Sequence, residues 1–171
     1  MKQKRYRMVA VAAVLAMAFL TGCGSSAADT EKDSAVTADE TSGQSVDIGT
    51  VAQTLVDGVE YEDELTQLTE EELSYYVTLE DGVMGVMYMS SGSTAEEVAV
   101  FEAPDSSTAE LMKEHVEEYL ADQRDSFEKY IPEEAERIDD AVVQQNGNYV
   151  VLCVSGDSDK AKSLISEAFA K

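Results

Sequence analysis

Val142-Val143-Gln144-Gln145-Asn146-Gly147-Asn148-Tyr149-Val150-Val151-Leu152-Cys153-Val154 is the stretch that decides the fold. Asn146-Gly147 suits a two-residue type I′ turn, where both central residues need positive φ. It predicts a hairpin with strands over Val142 to Gln145 and Asn148 to Val154. The second strand is apolar on both faces, which places it centrally in a sheet. Downstream, Asp157 is positioned to cap a final helix whose Ala161, Leu164, Ile165, Ala168 and Phe169 face inward.

Upstream lies the longest element, a helix from about Ser107 to Tyr130. Ser107 and Glu110 have capping-box spacing. Met112, Val116, Tyr119, Leu120, Gln123, Phe127 and Tyr130 fall on one stripe. At 1.5 Å per residue such a helix is ~36 Å long, enough to cross a small sheet. Pro132 stops it and starts a short helical turn through Glu136. Before it, Glu97 to Ala103 reads as a strand ended by Pro104 and Asp105. Val83 to Met89 reads as another, entered through Asp81-Gly82, with Tyr76 to Leu79 as a candidate hairpin partner. Ile48, Val51, Ala52, Leu55 and Val59 recur near helical spacing behind Asp47, a suitable N-cap. Thr69 and Glu72 form a capping-box pair ahead of Leu73 and Tyr76. The expected fold is α+β: an antiparallel sheet of four to five strands, with one long helix and shorter helices packed on one face.

The N-terminus reads as an address. Lys2, Lys4, Arg5 and Arg7 precede an uncharged run from Met8 to Leu20. That run is shorter than the ~20 residues a membrane-spanning helix needs and has the proportions of a signal peptide. It ends in Leu20-Thr21-Gly22-Cys23, a lipobox in which the Cys23 thiol would carry diacylglycerol, with acyl chains such as palmitate. Each buried methylene adds ~0.8 kcal/mol of membrane affinity. Residues 24–45 hold no aromatic residue and one aliphatic, Val36, too little to order a core. As a coil they span ~26 Å. The expected organisation is a signal peptide over 1–22, a lipidated Cys23 and acidic tether over 23–45, and one globular domain over 46–171. The expected location is the extracytoplasmic face of the cell membrane.

Charge narrows the partners. The chain carries a net −23, and removal of residues 1–22 with their four basic side chains takes it to −27. Nucleic-acid binding depends on Lys and Arg neutralising phosphates, so it is not expected. A strongly negative surface keeps an exported domain soluble and off anionic headgroups. It also leaves room for a cation, a small solute or a surface protein as partner.

Several constellations invite chemistry, and each also has a plainer role. Glu96 and Glu97 adjoin the start of a strand, where successive side chains face opposite sides, so only one is expected to point inward. Arg124 lies on the long helix off the apolar stripe, and its planar fork suits a carboxylate. Glu96, Glu97 and Arg124 are therefore the candidate ligand-binding group, with a structural strut as the plainer account of the pair. Met84, Met87 and Met89 could offer thioethers to Cu(I), but methionine is a common core filler and Met84 would face away from the other two. Ser126 and Lys129 spell S-x-x-K without the companion motifs of penicillin-recognising enzymes. His115 is the only histidine, which argues against His-based metal sites and triads. Asp157 and Asp159 begin like a calcium loop but lack its Gly and closing Glu. Cys153, in an apolar run, reads as a small hydrophobe. No catalytic residue, metal site or cofactor is expected.

Thr94-Ala95-Glu96-Glu97-Val98-Ala99-Val100-Phe101, the long helix with Arg124, Phe127 and Tyr130 followed by Pro132 and Glu133, and Gly147-Asn148-Tyr149-Val150-Val151 together carry a resemblance. Over roughly Val46 to Phe169 the chain resembles the exported lipoprotein family known as domain of unknown function 4358. The resemblance implies a cell-surface lipoprotein of Gram-positive bacteria and supplies no catalytic residues. The expected function is thus a non-enzymatic binding or interaction module, with a carboxylate-based extracellular hydrolase or an envelope-structural role as alternatives.

Overall fold

A computed structural model describes residues 45–170. The expectations for the signal peptide, Cys23 and the tether up to residue 44 lie outside those residues. The elements run α1 (Ile48–Gly58), β1 (Thr66–Gln67), α2 (Glu70–Tyr76), β2 (Met84–Met89), β3 (Glu97–Glu102), α3 (Ser106–Phe127), α4 (Pro132–Asp139), β4 (Val142–Asn146), β5 (Tyr149–Val154) and α5 (Ser158–Phe169). The strands form one antiparallel sheet in the order β1-β2-β3-β5-β4, so the class is α+β.

The hairpin forms, with its loop one residue later than the sequence suggests. Asn146 pairs with Tyr149, so the two loop residues are Gly147 and Asn148, and Gly147 takes φ +58°. Glycine at the first loop position meets the need for positive φ without a Cβ clash.

β3 and β5 lie side by side in the middle, with Val98 opposite Cys153 and Phe101 opposite Val150. Both are buried along nearly their whole length. The reason corrects the expected layering: helices cover both faces of the sheet, not one. On one face α2, α3 and α4 bring Leu73, Met112, Val116, Tyr119 and Ile138 against Met87, Ala99, Phe101, Val150 and Leu152. On the other, α1 and α5 bring Val51, Leu55, Ala161 and Ile165 against Val98, Val100, Val151 and Cys153. Two-sided cover is what an unbroken apolar strand requires.

Local chemistry sets the helix ends. Asp47 Oδ1 accepts from the Thr50 amide at 2.7 Å. Thr69 and Glu72 make a reciprocal capping box, and Asp157 accepts from the Lys160 amide at 2.9 Å. The long helix is capped by Asp105, which accepts from Thr108 at 2.8 Å, not by a Ser107–Glu110 box. It ends at Phe127, and Tyr130 falls in the turn beyond. Pro132 opens α4, where its missing amide costs nothing. Tyr76 closes α2 and forms no hairpin with β2. The outer neighbour of β2 is the two-residue β1. Gly85 in β2 has a packing reason: a Cβ there would meet the Phe101 ring of the paired strand at 2.8 Å.

Candidate functional site

Glu96 and Glu97 sit where β3 begins, and both are buried. This corrects the expectation that only one points inward. In a sheet covered on both sides, neighbouring side chains can each enter an interior.

Glu96 is the centre of a closed network. Its Oε1 accepts from Arg137 Nη1 at 3.0 Å and from the Glu62 amide at 2.9 Å. Its Oε2 accepts from the Asp63 amide at 3.0 Å and from Thr94 Oγ1 at 3.1 Å. Arg137 Nε and Nη2 also donate to the two oxygens of Glu134, at 3.0 and 3.2 Å, and Nη2 donates to Glu62 at 2.6 Å. Glu134 in turn accepts from the Ala95 amide at 2.7 Å. Burial works against the Arg137 charge, but its bonds to Glu62 and Glu134 more than offset this and hold its pKa above the usual value. One guanidinium thus ties α4 to the 61–63 segment and to the start of β3.

The expected partner of the inward glutamate was Arg124, and that pairing does not form. Arg124 Nε instead donates to Asp139 Oδ1 at 2.7 Å, a half-exposed clamp between α3 and α4. The hydrogen bond from Arg124 holds the Asp139 carboxyl below its usual range. The signal for Arg137 was present: it stands three residues after Glu134 on a short helix whose Ala135 and Ile138 are apolar, so the pair shares a turn next to the buried face.

Glu97 has different surroundings. Its residue exposure is 3%. Tyr119 Oη on α3 donates to Oε2 at 2.6 Å, and Oε1 has no hydrogen-bond partner among the described residues. Burial dominates, and the carboxyl is pushed up to about 8 although the Tyr119 bond pulls the other way. The Tyr119 phenol is itself held above its ordinary value, by burial first and by the Glu97 charge second. Tyr76 meets Tyr119 edge to face, with ring centroids 6.4 Å apart.

Glu97 borders a small cavity of about 60 Å³, shared with Thr94, Ile138 and others. Met89, Ser90, Gly92, Gln123 and Phe127 are common to that cavity and to a larger groove of about 580 Å³. The groove is walled by Leu68, Tyr76, Phe127, Tyr130 and Ile131. Tyr130 is 83% exposed. Among the described residues no Lys, Arg or His lines either space. The rim loop is fixed: Ser90 Oγ donates to the Thr94 carbonyl and the Ser91 amide donates to Asp63. A mostly apolar concavity with a few convergent polar groups is the usual form of a small-molecule site.

The remaining candidates fall into plainer roles. Met87 is buried in the α3-side core, while Met84 stands exposed on the other face. Ser126 donates to the Asp122 carbonyl within α3. His115 Nδ1 lies 2.9 Å from the Thr78 carbonyl, tying α3 to the segment after α2. Cys153 is buried 3.6 Å from Tyr61 Oη, and burial pushes its thiol up, the opposite of what a reactive thiolate needs. Among the described residues no group of three or more His, Cys, Asp or Glu is arranged to hold a metal ion. Another concavity, of about 680 Å³, lies over the Arg137 network, where Arg137 is already engaged by Glu96 and Glu62, and is also lined by Glu60, Asp157 and Lys160.

A family model described as "Domain of unknown function (DUF4358)" matches residues 57–155, from the last turn of α1 to the residue after β5. The span includes Glu96, Glu97, Tyr119 and Arg137. No curated protein and no solved structure matches the chain.

Proposed function

The chain belongs to the DUF4358 family, and on that premise we propose that it is a lipid-anchored extracytoplasmic protein whose domain binds a small molecule in the groove over Glu97. The observation that carries the binding half is the Glu97 carboxyl, buried as a residue, with Tyr119 bonded to Oε2 and Oε1 left to the bordering cavity. A ligand donor in that cavity can complete the bond to Oε1. The anchoring half rests on the lipobox at Cys23. Among the described residues no helix is long and apolar enough to cross a membrane.

Binding is favoured over hydrolysis by the carboxylates themselves. Glycosidase-type chemistry needs two carboxyl groups facing each other ~5–9 Å apart. Glu96 also borders the small cavity, but both its oxygens are engaged. Only Glu97 has an oxygen to offer.

A thermal-shift screen of the full chain against small metabolites tests the binding half, because a ligand specific for the folded state raises Tm. A ligand of the groove loses its effect in Gln123→Trp, which fills the groove from its half-exposed wall. A ligand that binds this variant unchanged refutes the assignment of the site. Mass spectrometry of the N-terminal peptide tests the anchor, and a mature Cys23 with an unmodified thiol would sink it.

A further inference from the structure

We infer that the groove over Glu97 takes an organic amine, its ammonium head in the small cavity against Glu97 Oε1 and its apolar body along Tyr76, Phe127 and Tyr130. The inference rests on the small-molecule reading of this groove and narrows it to one chemical class.

Size admits the head group. The cavity of about 60 Å³ has room for a few waters, at roughly 10–15 Å³ each on the same measure. An ammonium with its first methylene fits there. The groove of about 580 Å³ then accommodates a body of an aromatic ring or a short alkyl chain.

Charge excludes the anion. Among the described residues no basic side chain lines the cavity or the groove, and the chain as a whole carries −23. A carboxylate or phosphate ligand would meet only an acidic group at the floor. A cation gains from the Glu97 carboxylate, from the Phe127 ring bordering the cavity and from the field of the whole domain.

Hydrogen bonding calls for a donor at Oε1. Tyr119 occupies Oε2 as a donor, which leaves Oε1 as the free atom. An ammonium offers three donors, and Ser90 and Gln123 stand on the shared wall to receive or complete the others. The titratable groups around Glu97 are few. Tyr119 of α3 bonds to it, with Tyr76 of α2 beyond. Glu96 precedes it, engaged by Arg137 of α4. Cys153 of β5 lies on the opposite face of the sheet. None supplies a counter-ion, which agrees with the carboxyl being held up to about 8. An incoming ammonium supplies the missing positive charge, so Glu97 gives its proton to solvent as the ion pair forms. The balance is one ammonium bound and up to one proton released below pH 8.

Phenethylamine, 2-phenylethanol and 3-phenylpropionate serve as cationic, neutral and anionic probes of similar body. Each is titrated calorimetrically into the full chain in detergent, in two buffers of different ionisation enthalpy. The amine binds most tightly and releases close to one proton at pH 7, and its affinity rises up to tenfold per pH unit towards pH 8. Glu97→Gln, which keeps the shape and an acceptor for Tyr119, abolishes the proton release and weakens the amine at least tenfold. Phe127→Ala, on a partly exposed wall, weakens it roughly two- to thirtyfold. Alcohol binding as tight as the amine, or amine binding without proton release, overturns the amine inference and leaves the groove as a small-molecule site. Failure of all three probes, together with a metabolite screen in which Gln123→Trp loses nothing, overturns both.

Discussion

Glu96 and Glu97 are neighbours in the chain, and the protein treats them oppositely. Glu96 is wrapped by a guanidinium, two amides and a hydroxyl until no acceptor site is idle. Glu97 receives one phenolic hydrogen bond and otherwise borders a void. Both are equally hidden from water, so burial alone does not separate a strut from a site. The count of completed hydrogen bonds does.

The widest way to break the contrast is to remove the partner from the satisfied side. Arg137 is 13% exposed as a side chain, and Arg137→Met strands Glu96 and Glu134 without a counter-charge. The expected loss is ~3–5 kcal/mol of unfolding free energy, as for other broken buried pairs, read from a urea melt. Loss below 1 kcal/mol would mean that the network is decorative. On the other side, Tyr119→Phe leaves the Glu97 carboxyl with no protein partner and costs ~1–3 kcal/mol. A stability equal to wild type would show that water already replaces the phenol.

The third test uses pH. Glu97 rises from an ordinary 4.5 to about 8 on folding. The folded chain therefore holds a proton that the unfolded chain loses between those values. The stability linked to this group is fully present below pH 4.5 and is lost as pH rises through 8, by up to ~1.4 kcal/mol per pH unit inside the window. Glu97→Gln flattens that decline, measured by denaturant titration at pH 5, 6.5 and 8. Parallel curves for the two proteins would place the titration elsewhere. Smallest of all is Arg124→Met, which removes a half-exposed clamp to Asp139 and is expected to cost less than ~1 kcal/mol.

What the sequence revealed was local. Caps at Asp47, Thr69 and Asp157, the long helix, and a hairpin around Gly147 depend on residues within a few positions of each other, and all formed, the hairpin with its loop one residue later than Asn146-Gly147. The two-residue β1 was invisible because Thr66 and Gln67 are exposed and have no apolar pattern. The second helical layer was missed although the unbroken apolar runs of β3 and β5 already required cover on both faces. At the site, the sequence pointed to Glu96 and Glu97 but not to their difference. Hydrogen bonds from Arg137 and Tyr119 arise across 41 and 22 residues respectively, a reach that no periodicity encodes. Tyr119 offered one clue: a tyrosine on a buried stripe needs a partner for its hydroxyl.

The two-sided cover of the sheet has a practical corollary for anyone trimming the chain. The family span of residues 57–155 keeps all five strands but discards α5 and most of α1. Such a fragment would present Val98, Val100, Val151 and Cys153 as a bare greasy slab. The smallest piece fit to be expressed by itself therefore begins ahead of Asp47 and runs through Phe169.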